Sequence, residues 1–121
     1  MGLKNLLVTT LLFFTSFIYS VNEEAILGKD FPRKISDYNF FTDGLNQVPH
    51  ESLVPYELIS PLFSDYSYKK RFVYVPNGKI GIYKEDWVYD FPVGTALVKT
   101  FYYPVDERNL DLGNKLLETR V

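Results

Sequence analysis

The residues that could do chemistry are few. The single histidine, His50, lies in the segment VPHES, and acidic side chains cluster in turn-like contexts at Asp65, Glu85, Asp86, Asp90 and Asp106. One imidazole is a poor basis for a metal centre, which draws three or four convergent ligands. His50 is therefore read as a solvated loop residue. The chain has no cysteine, which excludes disulfides, zinc–thiolate sites and covalent haem attachment through CxxCH within these residues. Met1 is the only methionine, so no thioether axial ligand remains once a leader is removed. The turn carboxylates have the oxygens that calcium prefers, but the DxDxDG spacing of an EF-hand is missing and turn capping is the expectation. Asp90 and Glu118 could form an acid/base pair on a glycoside only at a defined separation. Sequence cannot supply that separation, and the simpler expectation is a structural ion pair, Lys99–Glu118 or Arg120–Asp90. No GxSxG elbow, P-loop or GxGxxG is present. The chain is expected to hold no catalytic, cofactor or metal residue of its own.

Binding is the alternative to catalysis. Ten Tyr, ten Phe and one Trp in 121 residues are an unusual aromatic share. Tyr66, Tyr68, Tyr74, Trp87 and Tyr89 are candidates for a face that stacks on sugar rings or docks a protein, with Tyr56, Tyr102 and Tyr103 as further members. Aromatics at alternating strand positions more often divide between a core and one solvated face, and the core is the expected use. Net charge is −2, and Lys4 is the only charge before Tyr19, so the remainder carries −2 − 1 = −3. With no basic stripe in the sequence, nucleic acid is not an expected partner.

The elements that must position these residues are strands. Residues 87–103, WVYDFPVGTALVKTFYY, are organised around a break at Pro92-Val93-Gly94, where a missing N–H and a permissive glycine turn the chain. On this reading 87–91 is one strand and 95–103 a second, apolar on both faces and so expected to be covered on both sides. Lys99 is the exception, and it should snorkel or find a carboxylate. Residues 69–75 (KKRFVYV) alternate as a firm strand, and the turn Pro76-Asn77-Gly78-Lys79 predicts a hairpin with 80–83. Pro55 and Pro61 confine 56–60 to a short extended edge segment. Residues 115–121 form a last strand that pairs back on 95–103 and brings Lys99 near Glu118 or its neighbours. Such a run, ending in mid-strand, predicts a truncated or partial chain.

The N-terminus carries the clearest address. Lys4 precedes a run of 13 uncharged residues, 6–18, and then Ser20, the layout of a secretory signal peptide. The run is short for a bilayer span of about 20 residues. Bulky Ile18 makes the cleavage context only fair, so an uncleaved anchor is the one route to a membrane. Export to the periplasm or medium is expected. Residues 21–33 are read as a linker, 36–41 as one short helical turn capped by Ser36 and clipped to the core by Ile35 with Phe40 or Phe41, and 42–52 as an irregular loop. The domain scheme is thus signal peptide 1–20, linker and short helical element 21–52, and β domain 53–121. The fold class is mostly β: a small antiparallel domain, sandwich-like or incomplete, with one short helix and a signal-peptide helix before it.

Three ordered blocks carry a resemblance. PYELISPLFSDYSYKKRFVYVP (55–76), DFPVGTALVKTFYYP (90–104) and LLETRV (116–121) resemble the N-terminal region of a family of exported bacterial conserved hypothetical proteins, often described as di-haem c-type cytochromes. Ser36, Tyr38, Phe40 and Phe41 match a short S-x-Y-x-FF element of that family, and the likeness spans roughly 31–121. It implies export and an N-terminal β domain joined to an electron-transfer module whose CxxCH motifs lie further along. Haem c is then expected only in a longer protein, with the downstream haem module or an envelope redox partner as the contact. The alternative expectation is an extracellular carbohydrate- or protein-binding β module.

Overall fold

The computed structural model describes residues 19–121, so most of the expected signal-peptide helix lies outside the described residues. Among the described residues six strands form two antiparallel sheets. A ribbon pairs β1 (Phe41–Asp43) with β2 (Val48–Pro49), and a four-stranded sheet runs in the order β3 (Leu53–Pro55), β4 (Tyr68–Tyr74), β5 (Ala96–Pro104), β6 (Asn114–Arg120). This is the mostly β, antiparallel domain that the strand patterns predict. One short α-helix, α1 (Glu23–Leu27), precedes it, and two 3₁₀ turns cover Ile35–Tyr38 and Leu110–Leu112.

The register separates the sheet into two faces. Phe72 lies opposite Val98, Tyr74 opposite Ala96 and Lys70 opposite Thr100, and Thr100 pairs in turn with Thr119, their hydroxyls 2.8 Å apart. These residues face the core, where Phe40, Val98 and Thr100 are fully buried. The alternate set, Val73–Leu97, Arg71–Lys99–Arg120 and Lys69–Phe101–Glu118, occupies the other face. Leu97 there is 51% exposed. The expectation that 95–103 is covered on both sides is thus corrected: β5 is buried on one face, and its second apolar set is half-covered by its own neighbours.

The cover of the core face comes from the stretch read as linker, short helical turn and loop, and the expected clip of Phe40 and Phe41 to the core is present. Val21, Tyr38, Phe40 and Phe41 are four of the nine buried core residues, and Phe41 meets Phe72 edge to face with ring centroids 5.6 Å apart. The polar look of 21–33 misleads because Asn22 caps α1, its side-chain oxygen accepting from Ala25 N at 3.1 Å while its amide donates to Asp37 O at 2.9 Å. The expected helical turn at 36–41 is a 3₁₀ turn ended by Asn39 in the left-handed conformation. The irregular loop expected at 42–52 is the β1–β2 ribbon. Its turn is held by the Asp43 carboxylate, which accepts from Asn46 N at 3.0 Å and Asn46 Nδ2 at 2.7 Å, and these bonds keep Asp43 below its ordinary pKa.

Two more expectations are corrected. Residues 80–83 do not return along β4, because β3 and β5 occupy both its edges; Ile82 instead makes a single bridge to Asp90. Residues 87–91 are not a strand, and the connection between β4 and β5 leaves Ile80, Tyr83, Trp87, Val88 and Val93 exposed. The edge strand expected at 56–60 lies at β3, with Tyr56 N extending the ladder to Arg71 O at 3.0 Å. Residues 56–60 themselves form no strand, so the expected position is corrected to Leu53–Pro55.

Phe40→Ala should lower stability by about 3–5 kcal/mol in urea unfolding, the cost of emptying a fully buried aromatic site; a residue facing solvent would show almost no loss. Tyr74 gives a pH test. Burial first, and then its bond to Glu23, push the Tyr74 phenol up to about 12. A phenol whose pKa is higher folded than unfolded favours folding below the ordinary value of about 10 and loses that contribution as the pH rises. The stability gap between the parent chain and Tyr74→Phe should therefore be full at neutral pH and narrow from about pH 10 to about pH 12.

Candidate functional site

The face of the sheet away from the core carries a row of cations. Register places Arg71 of β4, Lys99 of β5 and Arg120 of β6 directly opposite one another on three adjacent strands. The next row is Lys69, Phe101 and Glu118. Like charges in directly opposed positions destabilise a sheet, each pair by roughly 0.2–1 kcal/mol. The Phe101 ring lies beneath them, with Lys99 Nζ at 4.6 Å, Arg120 Cζ at 5.0 Å and Lys69 Nζ at 6.0 Å from its centroid. Its negative face offsets part of the repulsion.

The counter-charges are unevenly shared. The Arg71 side chain is 5% exposed and meets Glu57 Oε2 at 3.5 Å, while Arg120 pairs with Glu118 one turn of the pleat away on its own strand. Lys69 donates to Leu62 O at 2.7 Å. Lys99 has no carboxylate within 4.0 Å among the described residues. Partial burial, followed by the charges of Arg71, Lys69 and Arg120, lowers the Lys99 pKa, with Glu118 a weaker opposing influence. The expected Lys99–Glu118 and Arg120–Asp90 pairs are both corrected. A register shift between Phe101 and Tyr102 sets Glu118 opposite Phe101, where Arg120 claims it, and Asp90 pairs with Lys84 at 3.2 Å in the β4–β5 connection.

Beside the row, the loop between β3 and β4 forms a groove of about 860 Å³ along the edge of β4, lined by Glu57, Phe63, Tyr66, Tyr68, Lys69 and Arg71 among others. Its tip is the turn Ser64–Ser67, closed by Ser67 N donating to Ser64 O at 2.8 Å, with Asp65 and Tyr66 both at positive φ, 44° and 59°. Neither is glycine, so each left-handed residue costs energy that the surroundings must offset. Tyr103 contributes by donating its hydroxyl to Asp65 O at 2.7 Å, and Tyr68 donates to Glu107 at 3.1 Å.

The aromatics expected to form one face are divided. Tyr66 (82% exposed) and Tyr68 line the groove, Trp87 and Tyr89 stand exposed on the β4–β5 connection, and Tyr74 is a core residue. Within that connection Tyr83, Tyr89 and Phe91 form a chain of rings with centroids 5.7 and 5.8 Å apart. His50 is not solvated: it is buried, Nε2 donates to Tyr19 O at 2.7 Å, and Nδ1 accepts from Ser52 N at 3.1 Å. That pattern defines its tautomer and occupies both nitrogens. Among the described residues no group of three or more His, Cys, Asp or Glu side chains converges, and no helix is long and apolar enough to cross a membrane.

Known proteins add no further guide, since no family model, curated protein or solved structure gives a significant match to the chain.

The cation row escapes sequence reading because its members are 28 and 21 residues apart, from Arg71 to Lys99 (99 − 71) and from Lys99 to Arg120 (120 − 99). If repulsion dominates there, salt should stabilise the parent chain more than Lys99→Gln as the Debye length falls from about 30 Å at 0.01 M to about 3 Å at 1 M. Paired urea titrations at the two ionic strengths measure the difference.

Proposed function

We propose that this chain is the non-catalytic N-terminal β domain of an exported, cytochrome-associated protein, and that the open face of its four-stranded sheet packs against a downstream haem module. The observation that carries this reading is the one-sided sheet: a covered core face opposite a half-exposed face bearing Leu97, Lys99, Phe101 and Arg120. An aromatic centre beside arginine matches the composition of a protein-docking patch, with lysine suited to its polar rim. The ordered blocks at 55–76, 90–104 and 116–121 supply the cytochrome context, and the apolar stretch at 6–18 supplies the export context. The residues present do not fit a haem c site, because the chain has no cysteine and both nitrogens of His50 are engaged. Any haem belongs to residues beyond this segment, and this domain acts by positioning.

A second reading, an extracellular carbohydrate- or protein-binding module, is favoured by the linked rings of Tyr83, Tyr89 and Phe91 beside exposed Trp87. Two measurements separate the readings. DNA downstream of codon 121 should continue in frame into CxxCH motifs, and the longer product should show a c-type haem spectrum; a stop codon at that point overturns the first reading. Glycan binding that disappears in Trp87→Ala would support the second.

A further inference from the structure

The row Arg71–Lys99–Arg120 is two-thirds complete as a carboxylate-binding site. Each outer arginine already holds a carboxylate of this chain, Glu57 or Glu118, and the lysine between them holds none among the described residues. The Arg71 and Phe101 rows together hold four cations (Lys69, Arg71, Lys99, Arg120) against Glu118 within them and Glu57 beside them, a local surplus of 4 − 2 = +2, on a chain whose net charge is −2. A local positive surplus on an overall acidic chain is the charge pattern that steers and orients an acidic partner.

From this geometry we infer that Lys99, set between two arginines that already hold carboxylates of this chain, binds a carboxylate of an acidic segment of a partner protein laid over the sheet face at β5 and β6. Neighbouring strands lie about 4.8 Å apart, so the three cations span roughly 10 Å, the width of a single extended or helical segment. Phe101, under the cations, and Leu97, half-exposed beside them, offer apolar contact between the charges. A bare phosphate would favour free guanidinium forks or a backbone nest, and both guanidinium groups here are engaged. Within the row, the cation left without a carboxylate among the described residues is a lysine, whose point charge accepts a carboxylate from many directions. Binding also relieves the repulsion along the row, so the row's cost in the free domain becomes a gain on association. The inference rests on the open sheet face being the docking side, and adds the chemistry of what docks.

The probe is hexaglutamate, titrated into the chain as recovered from an exporting host and followed by amide chemical shifts. Shifts should map to Arg71, Lys99, Phe101 and Arg120. Lys99→Gln should weaken binding roughly tenfold, as expected for loss of a charged hydrogen bond, while Lys34→Gln, an exposed lysine outside the sheet, should leave it unchanged. Equal weakening by both variants would reduce the effect to net charge and overturn the inference. Shifts elsewhere, no binding, or binding to phosphatidylglycerol vesicles without binding to hexaglutamate would overturn it as well. Downstream haem motifs without hexaglutamate binding sink this inference alone; hexaglutamate binding without such motifs sinks only the cytochrome context.

Discussion

The seating of Phe40 and Phe41 on Phe72 and Val98 is the contact on which the rest of the domain depends. A four-stranded sheet of this size needs one apolar cover to be stable in water. The chain supplies that cover from the N-terminal stretch, so α1, the 3₁₀ turn at Ile35–Tyr38 and the β1–β2 ribbon act as a lid on one face rather than as a tether. His50 fastens the lid at its margin by bonding Tyr19 O, and Asn39 donates to Ser20 O at 3.0 Å. With a single lid available, the opposite face must be finished with long polar side chains over scattered apolar ones. Charge accumulates on that face as a result.

Much of the fold was legible. The alternation of 69–75 and 95–103, the Pro-bounded edge and the final strand each report local β character, and a period of two survives whatever packs on top. What covers what was not legible. Residues 21–33 look like linker because α1 is five residues long and amphipathic by only a few side chains, and Val21 is an isolated valine in a polar context. Residues 87–91 look like strand by composition, yet no free strand edge remains for them once β3 and β5 flank β4. Propensity describes the residues and cannot describe the vacancy they would have to fill.

The site followed the same rule. Lys99 stood out in sequence as a lysine in an apolar strand, and pairing it with the C-terminal run was right in direction. A one-residue irregularity between Phe101 and Tyr102 then moved the register, placing Arg120 rather than Thr119 opposite Lys99 and Glu118 rather than Leu117 opposite Phe101. His50 was misjudged because a loop context implies solvent, whereas this imidazole replaces backbone hydrogen bonds inside a turn. Tyr74 was grouped with surface aromatics although its strand phase, shared with Phe72, places it in the core.

The four-stranded sheet has two margins, and they are guarded differently. At β3 the strand is three residues long and ends in Pro55, which cannot donate, so little backbone is offered to a passing chain. At β6 seven residues run along the margin, and their protection is the alternation of Lys115, Glu118 and Arg120 among the leucines. Neutralising those side chains would remove the barrier to strand addition between copies, so solubility here depends on the same C-terminal charges that complete the row.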